Sequence, residues 1–86
     1  MKLLYCGYCG DVFNIGYESK KCSCGRTSGL YLDNVNARYS GKHAVPLGFA
    51  NNSFDNALKR QPNSGMGKEF SAFVIPVICD TFVKRI

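Results

Sequence analysis

The sequence has few of the groups from which acid–base machinery is assembled: one histidine, His43, and six carboxylates, Asp11, Glu18, Asp33, Asp55, Glu69 and Asp80, set apart along 86 residues. No nucleophile lies beside a base, which argues against an enzyme. A run of about 18 apolar residues, needed to span a bilayer, is missing. The longest apolar stretch, Ala72-Phe73-Val74-Ile75-Pro76-Val77-Ile78-Cys79, is short and carries a proline. Nor is there an export signal, since Met1-Lys2-Leu3-Leu4-Tyr5 runs straight into Cys6-Gly7 without an apolar core segment. The expectation is a soluble cytoplasmic protein with no membrane partner. Prolines number only three, and no repeat or linker is visible, so residues 1–86 should form a single domain. A chain this short buries little apolar surface against the entropy of ordering it, and an additional staple is expected.

The five cysteines admit three readings: a disulfide framework, a metal site, or reduced thiols packed as small apolar residues. An odd count and a reducing compartment shift the balance from disulfides toward metal. Four of them form two close pairs, Cys6-Gly7-Tyr8-Cys9-Gly10 and Cys22-Ser23-Cys24-Gly25, separated by twelve residues. Paired cysteines on two tight turns supply the four soft ligands of a tetrahedral zinc site. Glycine directly after Cys9 and Cys24 permits positive φ, and Gly7 after Cys6 offers the same freedom, leaving main-chain N–H groups to point at the sulfurs. Residues 11–21, with β-branched and aromatic side chains around Asn14-Ile15-Gly16, read as a hairpin that returns the second pair to the first.

These residues, about 3–33, resemble a zinc ribbon, in which two cysteine turns at hairpin ends share one zinc ion. The resemblance implies a structural Zn2+ held by Cys6, Cys9, Cys22 and Cys24. One departure stands out: the second pair is C-x-C where C-x2-C is usual, so its turn must differ from the standard one. A variant site in which His43 replaces one cysteine remains an alternative. Four thiolates close the coordination sphere, which marks a structural rather than a catalytic ion. Cys79 is left over, read as a buried or half-buried free thiol, and His43 as an exposed turn residue.

The remainder, about 34–86, extends the domain. Strands are expected at 28–33, 35–39 and 45–49, the last at a sheet edge because of Pro46. Asn51, Asn52 and Ser53 look like caps of a short helix over 54–60, with Asp55 early and Lys59-Arg60 late. Residues 69–75 read as a core strand and 81–86 as a terminal one. The fold class is therefore α+β, mostly β: a small four-cysteine zinc ribbon with β-hairpins, one short helix and C-terminal strands. Gly65-Met66-Gly67-Lys68 looks superficially like a phosphate loop, but Pro62 and Glu69 stand where glycine and Ser/Thr are required.

The formal net charge is +5. Four thiolates and one divalent ion bring the assembled domain to about +3, by +5 − 4 + 2. Lys20, Lys21 and Arg26 flank the cysteine turns, where balancing the thiolates is explanation enough, and no basic stripe is visible. Tyr5, Tyr8, Tyr17, Tyr31 and Tyr39 are either cross-strand packing partners or platforms for bases. Arg38, Lys42, His43, Asn51, Asn52, Lys59, Arg60 and Lys68 are the candidate partner-binding residues. The leading expectation for this small basic protein is a non-catalytic zinc module that binds an anionic partner, either nucleic acid or a phosphorylated small ligand. The alternative is a protein-interaction adaptor. The whole chain is similar to small zinc-ribbon proteins of bacteria and their phages, and that likeness adds the reading of a phage-type inhibitor of a host system.

Overall fold

A computed structural model describes residues 1–85. The chain runs β1 (Lys2–Cys6), β2 (Val12–Asn14), β3 (Lys20–Lys21), β4 (Ser28–Tyr31), β5 (Ala37–Ser40), β6 (Ala44–Phe49), α1 (Asn51–Lys59), β7 (Ala72–Val74) and β8 (Phe82–Arg85). Two four-stranded sheets result, ordered β2-β1-β6-β7 and β3-β4-β5-β8. Every pairing is antiparallel except β5 with β8, which is parallel. The fold is a small, mostly β member of the α+β class with a zinc-ribbon-like pair of cysteine turns.

Segment 11–21 is not a hairpin. Its two strands lie in different sheets: β2 pairs with β1, and β3 pairs with β4. The segment is a crossover between two hairpins, and each hairpin carries one cysteine pair at its tip. Buried Ile15 explains the arrangement, because it sits at the middle of the crossover and packs into the shared core. Register puts Leu4 opposite Phe13, so both face the second sheet. From that sheet Ala37 and Tyr39 alternate inward, and Phe82 of β8 lies fully buried with its ring edge-on to Tyr39 at 4.9 Å. The two sheets meet closely at Gly29, where an added Cβ would stand 2.6 Å from Leu4 Cδ1 and 3.0 Å from the Arg38 carbonyl. Only glycine permits that approach.

Four local expectations are corrected. Pro46 lies in a central strand, flanked by β1 and β7. Its carbonyl accepts from Ile75 N–H at 2.9 Å, so its protonless nitrogen turns to the same side, past the end of three-residue β7, where no ladder bond is lost. Residues 69–75 contribute only Ala72–Val74, an exposed edge strand, and Ile75 alone is buried. The helix starts at Asn51 with Ala50 as its uncapped N-cap. The would-be caps bind distant groups: Asn51 Oδ1 accepts from the terminal amine of Met1 at 2.8 Å, and Ser53 Oγ from Ser71 N–H at 2.8 Å. Asp55 therefore falls in the second turn and pairs with Lys59 at 2.9 Å. Finally, Val35 and Asn36 lie outside β5. Asp33 accepts from the side chain and N–H of Asn36 and from Val35 N–H, which closes a turn and holds its carboxyl down at about 2. Of the expected terminal strand, Phe82–Arg85 is present and Ile86 lies outside the described residues.

Candidate metal centre and the surface around it

The two hairpin tips bring Cys6, Cys9, Cys22 and Cys24 together, with all four sulfurs within 4.8 Å of one another. Cys6 and Cys22 are buried among core residues, Cys24 is half-buried and Cys9 exposed. Sulfur separations of 3.8 Å for Cys6–Cys24 and 3.5 Å for Cys22–Cys24 are far beyond disulfide length. A group of four thiols at this spacing could hold one metal ion. His43 is not in the cluster. Cys79 lies outside it as well, half-buried beside Thr81, whose hydroxyl and N–H hold its thiol below its ordinary value.

The unequal cysteine spacing has a simple structural answer. In each turn the first cysteine donates its N–H to the carbonyl five residues on, Cys6 to Asp11 and Cys22 to Thr27, both at 2.9 Å. The turns are thus equally long. Glycine follows the second cysteine in each, at φ 77° for Gly10 and 79° for Gly25, as the sequence leads one to expect. Gly7 differs: it has no positive φ, and its N–H donates to the His43 carbonyl at 2.9 Å. What C-x-C loses between its cysteines is restored after the glycine by one residue, Arg26.

Hydrogen bonds prepare the sulfurs for negative charge. Thr27 is fully buried, and its Oγ1 has no hydrogen-bond partner among the described residues. The nearby Thr27 hydroxyl, with the N–H groups of Cys9 and Tyr8, favours the thiolate more than burial opposes it and brings the Cys6 thiol down to about 6. Burial acts most strongly on Cys22 and pushes it up, but Thr27 N–H at 3.3 Å from the sulfur and the Cys24 thiol leave it lowered. The Arg26 N–H favours the Cys24 thiolate, yet burial and the neighbouring sulfurs of Cys22, Cys9 and Cys6 hold that thiol up at about 11. The donor set fits a divalent cation: oriented N–H groups and one otherwise unsatisfied hydroxyl surround sulfurs that repel one another when charged. Thr27→Val, which keeps the shape and removes the donor, is expected to weaken metal affinity about tenfold, measured by competition with a chromogenic chelator. Unchanged affinity would show that the hydroxyl serves packing alone.

The candidate partner residues separate into two groups. Arg38, Lys42 and His43 lie on β5 and on the 41–43 turn next to the cysteine tips, where Cys6 pairs with Ala44. Asn51, Asn52, Lys59, Arg60 and Lys68 lie on or after α1, beyond the other end of six-residue β6, roughly 17 Å away along the strand. That second group borders an open, mainly apolar hollow of about 470 Å³ lined by Phe54, Ala57, Leu58, Pro62, Lys68 and Phe70. Its cations have acidic neighbours, Asp55 paired with Lys59 and Glu69 next to Lys68.

The tyrosines are sorted by the fold. Tyr39 is buried, Tyr31 accepts from Lys2 N–H at 3.1 Å, and Tyr17 stacks on Tyr31. Tyr8 is 59% exposed. The Arg26 guanidinium lies 4.0 Å from its ring centroid, and the His43 ring is 5.6 Å away. The sequence offers Tyr8 only as one of five tyrosines that pack or carry bases and Arg26 only as a counter-charge to the thiolates, and their pairing does not stand out in it. The signal was there: an aromatic in one cysteine turn and a cation in the other must meet when the turns share an ion.

No protein family, curated protein or solved structure matches this chain. No helix among the described residues is long and apolar enough to cross a membrane.

Proposed function

We propose that this chain is a non-catalytic zinc-binding module of a reducing compartment such as the cytoplasm, and that its cysteine end binds an anionic partner of the nucleic-acid or nucleotide kind. The observation that carries the zinc reading is the sulfur spacing. Zinc–thiolate bonds of about 2.3 Å place the corners of a tetrahedron about 3.8 Å apart; Cys22–Cys24 and Cys6–Cys24 stand at 3.5 and 3.8 Å, and all four sulfurs lie within 4.8 Å of one another. Zinc held there would supply the positive charge that keeps all four sulfurs ionised, and four thiolates leave no position for a reacting water. Two hairpin tips around one ion are the zinc-ribbon arrangement that the cysteine turns resemble.

The distribution of charge supports the anionic partner. Gly41 packs against the Arg26 carbonyl, and Gly41, Lys42, Lys84 and Arg85 line one hollow of about 320 Å³. Asp11 is the carboxylate within the cysteine turns, and it is engaged by the N–H and hydroxyl of Ser23 at 2.9 and 3.1 Å. Asp33 and Asp80 fall at the opposite end of the second sheet, and Asp55 and Glu69 near the helix. Reversing charge at the cysteine end, in Lys42→Glu with Lys84→Glu, should weaken binding of mixed-sequence nucleic acid at least tenfold and flatten its dependence on salt. The pair Arg60→Glu and Lys68→Glu should do neither. Equal losses from both pairs would mean diffuse charge rather than a site.

One observation favours the adaptor reading: Phe73, Val74, Val77 and Ile78 are all exposed on one segment. Retention of a specific protein from nuclease-treated extract, abolished by Val77→Ser with Ile78→Ser, would select it, with a phage-type inhibitor as one form of such an adaptor.

A further inference from the structure

The cysteine end is more than a cluster of cations. Arg26, the residue that compensates the short C-x-C turn, is exposed with its guanidinium over the Tyr8 ring, and His43 is fixed beside the same ring through the bond from Gly7 N–H to its carbonyl. Among the described residues no carboxylate lies within 4.0 Å of the Arg26 guanidinium. A planar cation spread over an aromatic ring presents an outer face on which a base can stack and a fork of N–H donors for phosphate. The platform continues through Gly41 into the hollow lined by Lys42, Lys84 and Arg85, so cations extend away from the stacking group as phosphates extend away from a base.

Resting on the anionic-partner reading above, we propose that Tyr8, Arg26 and His43 form a stacking site for single-stranded nucleic acid, with Lys42, Lys84 and Arg85 contacting the adjoining phosphates. Two features favour a single strand over a duplex. A duplex keeps its bases in the helical stack, out of reach of an aromatic–guanidinium platform. The cysteine end presents turns rather than a helix or ribbon shaped for a groove. Recognition through ring faces tolerates any sequence, because every base has one.

The test uses the zinc-loaded chain and fluorescence anisotropy with four probes of about ten nucleotides: oligo-dT, oligo-rU, an abasic oligomer of the same charge, and a duplex. Oligo-dT or oligo-rU should bind about tenfold tighter than the abasic strand and than the duplex. Tyr8→Leu and, separately, Arg26→Lys should remove that advantage while leaving abasic binding within about twofold, since charge is kept. Both side chains are exposed, so melting temperature and metal content should not move, and they serve as the check on folding. Equal binding of base-bearing and abasic strands, or stronger binding of the duplex, would overturn the stacking site and leave the anionic-partner reading standing. Failure to bind any of the four would overturn both the stacking site and the nucleic-acid form of the anionic-partner reading.

Discussion

Cys22→Ser is expected to yield a chain that carries no zinc at neutral pH and shows no cooperative melting transition. Serine matches cysteine closely in size, so the loss reports the ligand rather than a cavity. Cys22 is 5% exposed and belongs to the same core as Leu4, Phe13, Tyr39 and Phe82. The ion it helps to hold would tie the tip of the β1–β2 hairpin to the tip of the β3–β4 hairpin, and these hairpins belong to different sheets. Structural zinc contributes about 10–16 kcal/mol of apparent binding energy in small domains, comparable to the roughly 5–15 kcal/mol by which whole domains are stable. Besides the ion, the tips are joined at the surface by Asp11 accepting from Ser23 and by Arg26 over the Tyr8 ring. Cys79→Ser is the companion measurement: it lies outside the cluster and should retain full metal content with a small change in melting temperature. A Cys22→Ser protein that melts cooperatively within a few degrees of the parent would show that the sheets hold without the ion.

Phe82→Ala should produce the largest effect of any change away from the cysteines. The ring has no solvent exposure and meets Tyr39 edge-on, 4.9 Å between centroids and 73° between planes. It is the buried anchor of β8, whose other residues are exposed, so the parallel pairing of β8 with β5 has little other hold on the core. Truncating a buried phenylalanine to alanine costs about 3–5 kcal/mol, and in a domain of this size each kcal/mol lowers the melting temperature by roughly 4–8 °C. A fall of about 12 °C or more is therefore expected in the zinc-loaded protein, whereas Val83→Ala on the exposed face of the same strand should shift it little. At low temperature the Phe82→Ala chain should still bind one ion, which separates its effect from that of Cys22→Ser. A shift no larger than that of Val83→Ala would mean that β8 is peripheral to the stability of the fold.

What the sequence made legible follows from how local each signal is. Cysteine turns are written in contiguous residues, and glycine after Cys9 and Cys24 marks their conformation directly; both have the positive φ that the spacing suggests. The fold class, a short helix and strands expected at 28–33, 35–39 and 45–49, found at 28–31, 37–40 and 44–49, were accessible for the same reason. Pairing was not. Nothing in Leu3-Leu4-Tyr5 names β6 as its neighbour, or in Phe82-Val83 a parallel partner far upstream, because those choices are made by the shared core. Segment 11–21 shows the limit well: its composition suits a hairpin, yet Ile15 gains more by entering the space between two sheets than its flanks gain by pairing with each other. Pro46 and Asn51, the first residue of α1, were misread through rules that hold for isolated elements, and tertiary partners overrode both. Tyr8 and Arg26 escaped because their meeting depends on the two turns coming together, which spacing alone does not display.

The central claim is that a single ion held by Cys6, Cys9, Cys22 and Cys24 organises the fold. Elemental analysis of chelator-free protein, paired with native mass spectrometry, tests it most directly. The account predicts one zinc per chain, its removal by chelator abolishing the cooperative transition. Metal-free protein that melts cooperatively, with all five thiols free, would contradict it.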